Sequence, residues 1–166
     1  WAVGDLDGDA DLDSVVEMVE IEYPFNPEMH AHLVLNDATG AFEEATAHST
    51  ERPRQDAHGG AMADMDGDGD LDIVTGARKD APWGSWEHKF FLFLNDGFGR
   101  FTDRTDLVPW EWTLICTVDL GDVDDDGDVD VLATAFHAND LTIWFYDAGS
   151  SPPWVPQTVA GGFRGA

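Results

Sequence analysis

The chain has 166 residues, and its 34 acidic against 8 basic residues give a formal net charge of −26 at neutral pH. Nucleic acids and anionic membrane surfaces bind basic proteins, so this charge argues against both as partners. The hydrophobic content of 43% is too high for a disordered acidic tail, no apolar run approaches the ~20 residues of a transmembrane helix, and the single Cys116 excludes an intrachain disulfide.

Asp residues are concentrated in three nonapeptides, residues 5–13, 64–72 and 122–130. Each nonapeptide has Asp at its positions 1, 3, 5, 7 and 9, and the second and third begin 59 and 58 residues after the one before. A pattern that recurs at a nearly constant spacing indicates a repeat architecture. The fifteen candidate metal-binding residues are Asp5, Asp7, Asp9, Asp11, Asp13, Asp64, Asp66, Asp68, Asp70, Asp72, Asp122, Asp124, Asp126, Asp128 and Asp130.

The repeat extends beyond the Asp loops. Residues 33–42 match residues 92–101 at the same spacing of 59, with Asn36 opposite Asn95 and Phe42 opposite Phe101. In the third unit, residues 142–147 match the corresponding segment only after a short deletion. We therefore divide the chain into three units, which are residues 1–47, 48–106 and 107–166.

The first unit is predicted to be β structure. Residues 14–21 partly alternate apolar and acidic side chains, which is typical of a half-exposed strand. A second strand is predicted over 31–35, followed by a turn over 37–40, where Asn, Asp and Gly tolerate positive φ. A short strand begins at Phe42, and a further strand over 60–63, within the second unit, leads into the second loop.

The other two units contain the same elements. Four strands in a unit of this length are typical of one β-propeller blade, and no segment has a sustained helical period. The sequence therefore predicts an all-β fold of three four-stranded antiparallel blades. The corresponding strands are predicted at residues 73–77, 89–94, 101 onward, 114–120, 131–136 and 141–146.

In the second unit, an Asp loop is followed by a strand and by the sequence Leu-Phe-Leu-Asn-Asp-Gly-Phe-Gly-Arg-Phe at residues 92–101. This succession resembles the FG-GAP/VCBS repeat. This repeat is the calcium-binding blade of integrin-α-like β-propellers. The resemblance implies four-stranded blades, one Ca²⁺ in each Asp loop and hence three calcium sites, and a location outside the cell or at its surface. Three blades are fewer than we expect in a closed ring.

The resemblance also implies how each loop would hold its ion. Ca²⁺ takes six to eight oxygen ligands. Positions 1, 3, 5 and 9 would bind through side chains, and position 7 through its backbone carbonyl, which leaves the position 7 side chain for outer contacts.

Position 6 of the loop is predicted to need positive φ, because it is Gly69 and Gly127 in two of the loops. The first loop has Ala10 there, which would cost ~1 kcal/mol or more of backbone strain. We therefore expect the first site to be the weakest.

Other interpretations of the loops are less well supported. A solvated acidic surface does not explain three copies of one register, and an EF-hand would need a Glu at position 12 and flanking helices. Mg²⁺ prefers a stricter octahedron, and zinc prefers nitrogen and sulfur ligands.

Several residues outside the loops have both a structural and a functional interpretation. His30 and His32 could form a metal pair, but a surface pair on an edge strand is favoured. Cys116 is interpreted as a small buried side chain, and the dipeptides Asn36–Asp37 and Asn95–Asp96 as turn residues. Trp residues near the second unit could form a glycan platform, although packing between blades is favoured; these are Trp83, Trp86, Trp110 and Trp112.

Three functions follow as hypotheses. The first is a calcium-stabilised structural or adhesive module, and the second is a carbohydrate-binding propeller that uses the Trp cluster. The third is part of a polysaccharide-active enzyme, but the sequence contains no recognisable catalytic motif, so we expect no enzymatic activity. A glycan or a protein is the expected ligand.

The two ends of the chain resemble the two halves of one repeat. Residues 156–166 resemble the segment that leads into an Asp loop, and residues 1–4 resemble the end of such a segment. Because open blades expose apolar faces and strand edges, we expect head-to-tail contact with copies of the chain or with adjoining repeats, as a ring or as a filament.

Overall fold

The computed structural model describes residues 2–22, 26–45, 56–80, 86–108, 115–135, 140–150 and 153–160. These residues contain twelve β-strands and a short 3₁₀ turn at Thr105–Leu107, so the prediction of an all-β fold is confirmed. Within the described ranges, no helix has the length and apolar character needed to cross a membrane.

The strands form three antiparallel sheets of four strands, each in chain order, as predicted. Sheet 1 contains β1 Ala2–Gly4, β2 Asp13–Glu22, β3 Asn26–Asn36 and β4 Phe42–Glu44. Sheet 2 contains β5 Asp56–Ala63, β6 Asp72–Asp80, β7 Trp86–Asn95 and β8 Phe101–Asp103. Sheet 3 contains β9 Ile115–Gly121, β10 Asp130–Ala135, β11 Asp140–Tyr146 and β12 Trp154–Ala160.

Each Asp loop connects the first two strands of its sheet. The last Asp of the loop pairs with the residue just before the loop, and these register pairs are Gly4 with Asp13, Ala63 with Asp72 and Gly121 with Asp130. The three loops are therefore held at equivalent places in three equivalent hairpins.

The middle sheet is apolar on both faces because aromatic and aliphatic residues fill consecutive positions of β7. We call the face that carries Ile73, Phe91 and Phe93 the front of sheet 2, and these side chains pack with residues of sheet 1. In the other two sheets, the front is the face at the equivalent repeat positions, and the back is the opposite face. Successive side chains of a strand point to opposite faces, so Val74 and Leu92 lie on the back face.

The first core lies between the back of sheet 1 and the front of sheet 2. Its buried members are Leu6, Val15, Leu33, Ala45, Ile73, Phe91, Phe93 and Phe101.

The second core lies between the back of sheet 2 and the front of sheet 3. Phe90 packs edge-on against Trp144, with ring centroids 4.9 Å apart and an interplanar angle of 82°, a favourable aromatic geometry. The buried members of this core are Met65, Val74, Phe90, Leu92, Val131, Ala133, Trp144 and Trp154.

The first strands of neighbouring sheets lie beside each other, β1 against β5 and β5 against β9. Both cores thus follow one rule, in which the back of one sheet packs on the front of the next. This arrangement brings the three Asp loops, which follow β1, β5 and β9, to one end of the stack of sheets.

Candidate metal centres

In each Asp loop the carboxylates at positions 1, 3 and 9 converge. One oxygen from each lies within 4.8 Å of the others, and the same three positions converge in all three loops. The groups are Asp5, Asp7 and Asp13; Asp64, Asp66 and Asp72; and Asp122, Asp124 and Asp130.

The Asp at position 9 is buried and fixed by two backbone amides. In the second loop Asp72 accepts hydrogen bonds from Met65 N at 2.7 Å and from Asn95 N at 2.8 Å. Asp13 and Asp130 make the equivalent two bonds, to Leu6 and Asn36 and to Val123 and Tyr146. This residue therefore joins the start of each loop to the end of the third strand of its sheet.

The Asp at position 1 accepts hydrogen bonds from amides in the middle of its own loop. Asp64 accepts from Gly67 N at 2.8 Å, Asp68 N at 3.1 Å and Gly69 N at 2.9 Å. Asp5 and Asp122 accept equivalent bonds. These bonds curl the loop around the carboxylate.

The other two Asp positions do not join the converging groups. At position 5, Asp68 and its equivalents Asp9 and Asp126 accept a hydrogen bond from the amide of position 7. At position 7, Asp128 accepts from Ala148 N at 2.9 Å, in the turn that follows β11. The resemblance implies a side-chain ligand at position 5 and an outer contact at position 7. The structure does not bring the position 5 side chain into the converging group, and it places the position 7 side chain of Asp128 against the next turn.

The predicted positive φ at position 6 is confirmed. Gly69 and Gly127 have φ of 98°, and Ala10 has φ of 73° in the first loop. Position 4 also has positive φ, which the sequence analysis missed, with values of 79° at Gly67 and 63° at Asp125. The signal was present, since position 4 is Gly in two of the three loops.

The convergence changes the pKa of several carboxyls. Loss of hydration raises the pKa of Asp7, Asp66 and Asp124, the three residues at position 3, and neighbouring Asp charges raise it further. Burial raises the pKa of Asp72 to about 6, against the opposing effect of its hydrogen bonds from Asn95 and Met65.

This donor set fits a hard divalent cation. Three carboxylates supply only oxygen atoms, and loss of hydration, followed by the charges of neighbouring Asp residues, raises the pKa at position 3. A bound cation would offset both effects, because it favours the charged carboxylates.

Asn95 does more than the turn role predicted from the sequence. Its side-chain Nδ2 donates to Leu6 O at 2.9 Å, in the first loop, and to Leu71 O at 3.1 Å, in the second loop. The sequence analysis missed this contact because it joins residues that only the packing of sheets 1 and 2 brings together. The turn role of Asp37 and Asp96 is confirmed, since each accepts amide hydrogen bonds from its own turn.

His32 is not the surface residue that the sequence analysis favoured. It is 3% exposed, and its Nδ1 lies 2.8 Å from Glu44 Oε1 across the β3–β4 pair. The strand that carries His32 is also not the edge strand that was expected, because β3 lies between β2 and β4 in sheet 1.

Several predictions fall on residues outside the described set. Trp83, Trp110 and Trp112 lie outside the described residues, as do the side chains of Trp86, His30 and Cys116. Of the described Trp side chains, Trp144 and Trp154 are 2% and 5% exposed and belong to the second core.

The sequence of residues 5–75 matches the family model of the FG-GAP-like repeat. The matched segment begins at the first Asp of the first loop and ends in β6, just after the second loop. Comparison with curated proteins and with solved structures gives no match. Residues 5–75 of this chain are therefore similar to the FG-GAP-like repeat, and the three four-stranded antiparallel sheets are consistent with the blade-type all-β fold of that repeat.

Proposed function

We propose that this protein is a calcium-stabilised repeat module with a structural or adhesive role outside the cell. The observation that carries the proposal is the convergence of three carboxylates at the same positions of all three loops. The match of residues 5–75 to the FG-GAP-like repeat model supports it further.

Calcium suits these loops better than other common cations. Its ligands are carboxylate and carbonyl oxygens in a flexible arrangement, and a loop with five Asp in nine residues supplies many such atoms. The bound ion would supply charge neutralisation at the centre of the loop. The chain supplies the fixed geometry, because the position 1 and position 9 carboxylates are already held by backbone amides.

The proposed extracellular setting gives an expected affinity for calcium. Extracellular calcium modules bind with Kd of ~10⁻⁴–10⁻³ M. At ~1 mM Ca²⁺, each such site adds roughly 0.4–1.4 kcal/mol to the free energy of unfolding. Three occupied sites would also reduce the formal net charge of −26 by six, which lowers the repulsion within the fold.

A calorimetric titration of metal-free protein with Ca²⁺ tests the proposal, with Mg²⁺ as the comparison ion. We expect three sites for Ca²⁺ and a melting temperature several degrees higher than in chelator. Identical melting curves with calcium and with chelator would contradict the proposal.

The third loop offers a matched pair of variants. Asp124→Asn and Asp125→Asn each remove one negative charge, but only Asp124 belongs to the converging group. Asn tolerates the φ of 63° at position 125, so the control keeps the loop conformation. We expect Asp124→Asn to lose one of the three sites and Asp125→Asn to keep all three. Equal losses in both variants would show that the loop attracts cations only through its overall charge.

A further inference from the structure

The side-chain amide of Asn95 contacts the backbone of the first two Asp loops beside their converging carboxylates. Its Nδ2 donates to the carbonyl of Leu6 at 2.9 Å and to that of Leu71 at 3.1 Å. Leu6 lies between the position 1 and position 3 Asp of the first loop, and Leu71 directly precedes the position 9 Asp of the second loop. All three of these Asp belong to the converging groups. One NH₂ group therefore holds the backbone of both candidate sites.

The backbone amides at the two ends of this contact hold the buried carboxylates of the two sites. Leu6 N donates to Asp13 Oδ2 at 2.8 Å, and Asn95 N donates to Asp72 Oδ1 at 2.8 Å. Leu6 and Asn95 are both buried, and hydrogen bonds shielded from water are electrostatically stronger. The positions of Asp13 and Asp72 therefore depend on each other through only two residues.

The turn that follows β7 also lies against both loops. A Cβ at Gly8, in the first loop, would lie 3.2 Å from the carbonyl oxygen of Gly97. A Cβ at Gly97 would lie 2.5 Å from Asp70 Oδ2, in the second loop. Both distances are those of direct contact or shorter, so the two loops pack against the same turn.

The second and third loops do not share the side-chain amide link. Tyr146 takes the place of Asn95 in sheet 3, since its backbone amide donates to Asp130 as that of Asn95 donates to Asp72. The Tyr146 side chain has no amide, and its ring packs against Trp154 with the centroids 4.6 Å apart. In the described part of the chain, no hydrogen bond joins this side chain to the second loop. The protein therefore contains one pair of neighbouring loops with the link and one pair without it.

We infer that Asn95 is a positioning residue shared by the first two calcium sites and that it makes their occupancy cooperative. The inference rests on the proposed function, because it requires that both loops bind calcium. When the first loop is occupied, its carboxylates and the peptide of Leu6 are fixed together. The fixed carbonyl of Leu6 orders Asn95, whose amide holds Asp72 in the second loop. The second site is then already ordered, so its affinity rises, and by linkage each site helps the other equally.

Repulsion between two bound cations opposes this coupling only weakly. Each loop contains five Asp, whose charge exceeds that of one Ca²⁺, so an occupied loop remains negative. The third loop has the same five Asp, so charge by itself predicts the same behaviour for both pairs of neighbouring loops. A difference between the two pairs therefore reports on the Asn95 link.

Calorimetric titration of two-site proteins with Ca²⁺ measures the coupling. Asp124→Asn removes the third site and leaves the first pair, whereas Asp7→Asn removes the first site and leaves the second pair; both substitutions remove one charge at position 3. Single-site proteins, which combine two of the substitutions Asp7→Asn, Asp66→Asn and Asp124→Asn, give the affinity of each site alone. In the first pair, we expect each site to bind at least ~5-fold more tightly when the other is occupied, which is the lower end of the usual range for coupled sites. The second pair should bind its two ions independently.

Asn95→Ala tests whether the side chain carries the coupling. In the first pair, this variant should abolish the coupling, and thermal melts check that it is folded. Asn36→Ala is the matched control and should keep the coupling. The amide of Asn36 makes the equivalent bond to Asp13, but among the described residues its side chain makes no bond between sheets.

The outcomes separate this inference from the proposed function. Independent sites in the first pair, equal coupling in the two pairs, or coupling that survives in folded Asn95→Ala would overturn the inference while calcium binding stands. A protein that binds no calcium would overturn the proposed function as well. If Asn95→Ala does not fold, the comparison of the two pairs still decides, because both proteins keep Asn95.

Discussion

The side chain of Asn95 donates a hydrogen bond to the backbone carbonyl of Leu6, which lies 89 positions earlier in the chain and 2.9 Å away. The amide of Leu6 donates in turn to Asp13, and the amide of Asn95 donates to Asp72. One continuous set of hydrogen bonds therefore joins the position 9 Asp of the first loop to that of the second.

We expect Asn95→Ala to weaken both the fold and this link. The substitution leaves the carbonyl of Leu6 without its donor, and an unsatisfied buried polar group costs ~1–3 kcal/mol. The free energy of unfolding should fall by about that amount in urea. Asn36→Ala is the matched control, because among the described residues Asn36 makes no equivalent bond between sheets. Equal losses in the two variants would assign the effect to the turn alone.

Ala10→Gly should stabilise the first loop. Ala10 has φ of 73°, where Gly avoids a strain of ~1–2 kcal/mol. We expect the substitution to tighten Ca²⁺ binding at the first site, as measured by calorimetry. In the wild-type protein, we expect the second loop to bind Ca²⁺ most tightly, because both of its positive-φ positions are Gly. Ala38→Gly relieves a similar strain at φ of 59° outside the loops, so it should raise stability without changing calcium affinity. Three equal sites in the wild type would contradict this strain argument.

Gly97→Ala should be more harmful than Gly40→Ala. Both glycines have positive φ, but a Cβ at position 97 would lie 2.5 Å from Asp70 Oδ2, whereas a Cβ at position 40 meets no atom within 4 Å. Gly40→Ala should therefore cost only the ~1–2 kcal/mol of backbone strain. Gly97→Ala should cost more in urea unfolding, because Asp70 must move from its place against the turn. Similar losses would show that Asp70 shifts freely.

The metal-free protein should lose stability as the pH rises from about 4 to 6. Folding raises the pKa of Asp72 from its ordinary value of 3.8 to about 6, and that of Asp7, Asp66 and Asp124 in the same direction. In this window the folded state binds more protons than the unfolded state, so its stability is greatest below the unfolded pKa and falls as the pH rises.

Two turn residues oppose this trend only at lower pH. Hydrogen bonds lower the pKa of Asp37 and Asp147 below 3.8, so their contribution is lost below the window. Urea unfolding of metal-free protein at pH 4.5 and 7 measures the effect, and greater stability at pH 7 would contradict it. Calcium should reverse the slope, because protons compete with the cation for the same carboxylates.

The sequence by itself determined the features that depend on local chemistry. The spacing of Asp and Gly in residues 64–72 predicts a tight loop with positive φ at Gly69, because few other residues adopt that conformation. The β-prone runs on either side predict the strands, and the repetition of the pattern predicts three equivalent sheets. The similarity of residues 5–75 to the FG-GAP-like repeat was also accessible from the sequence, since the motifs that carry it are contiguous.

Only the tertiary structure decided which equivalent residues are buried and which loops are connected. Phe42 and Phe101 occupy the same place in the repeat, yet one is 60% exposed and the other 4%, because a neighbouring sheet covers only the second. Asn36 and Asn95 also occupy equivalent places in their repeats, yet within the described ranges only Asn95 donates a side-chain hydrogen bond to a loop of the preceding sheet. Burial and contacts between repeats depend on where each sheet lies in the stack. The residue type at a given position of the repeat does not reveal where its sheet lies.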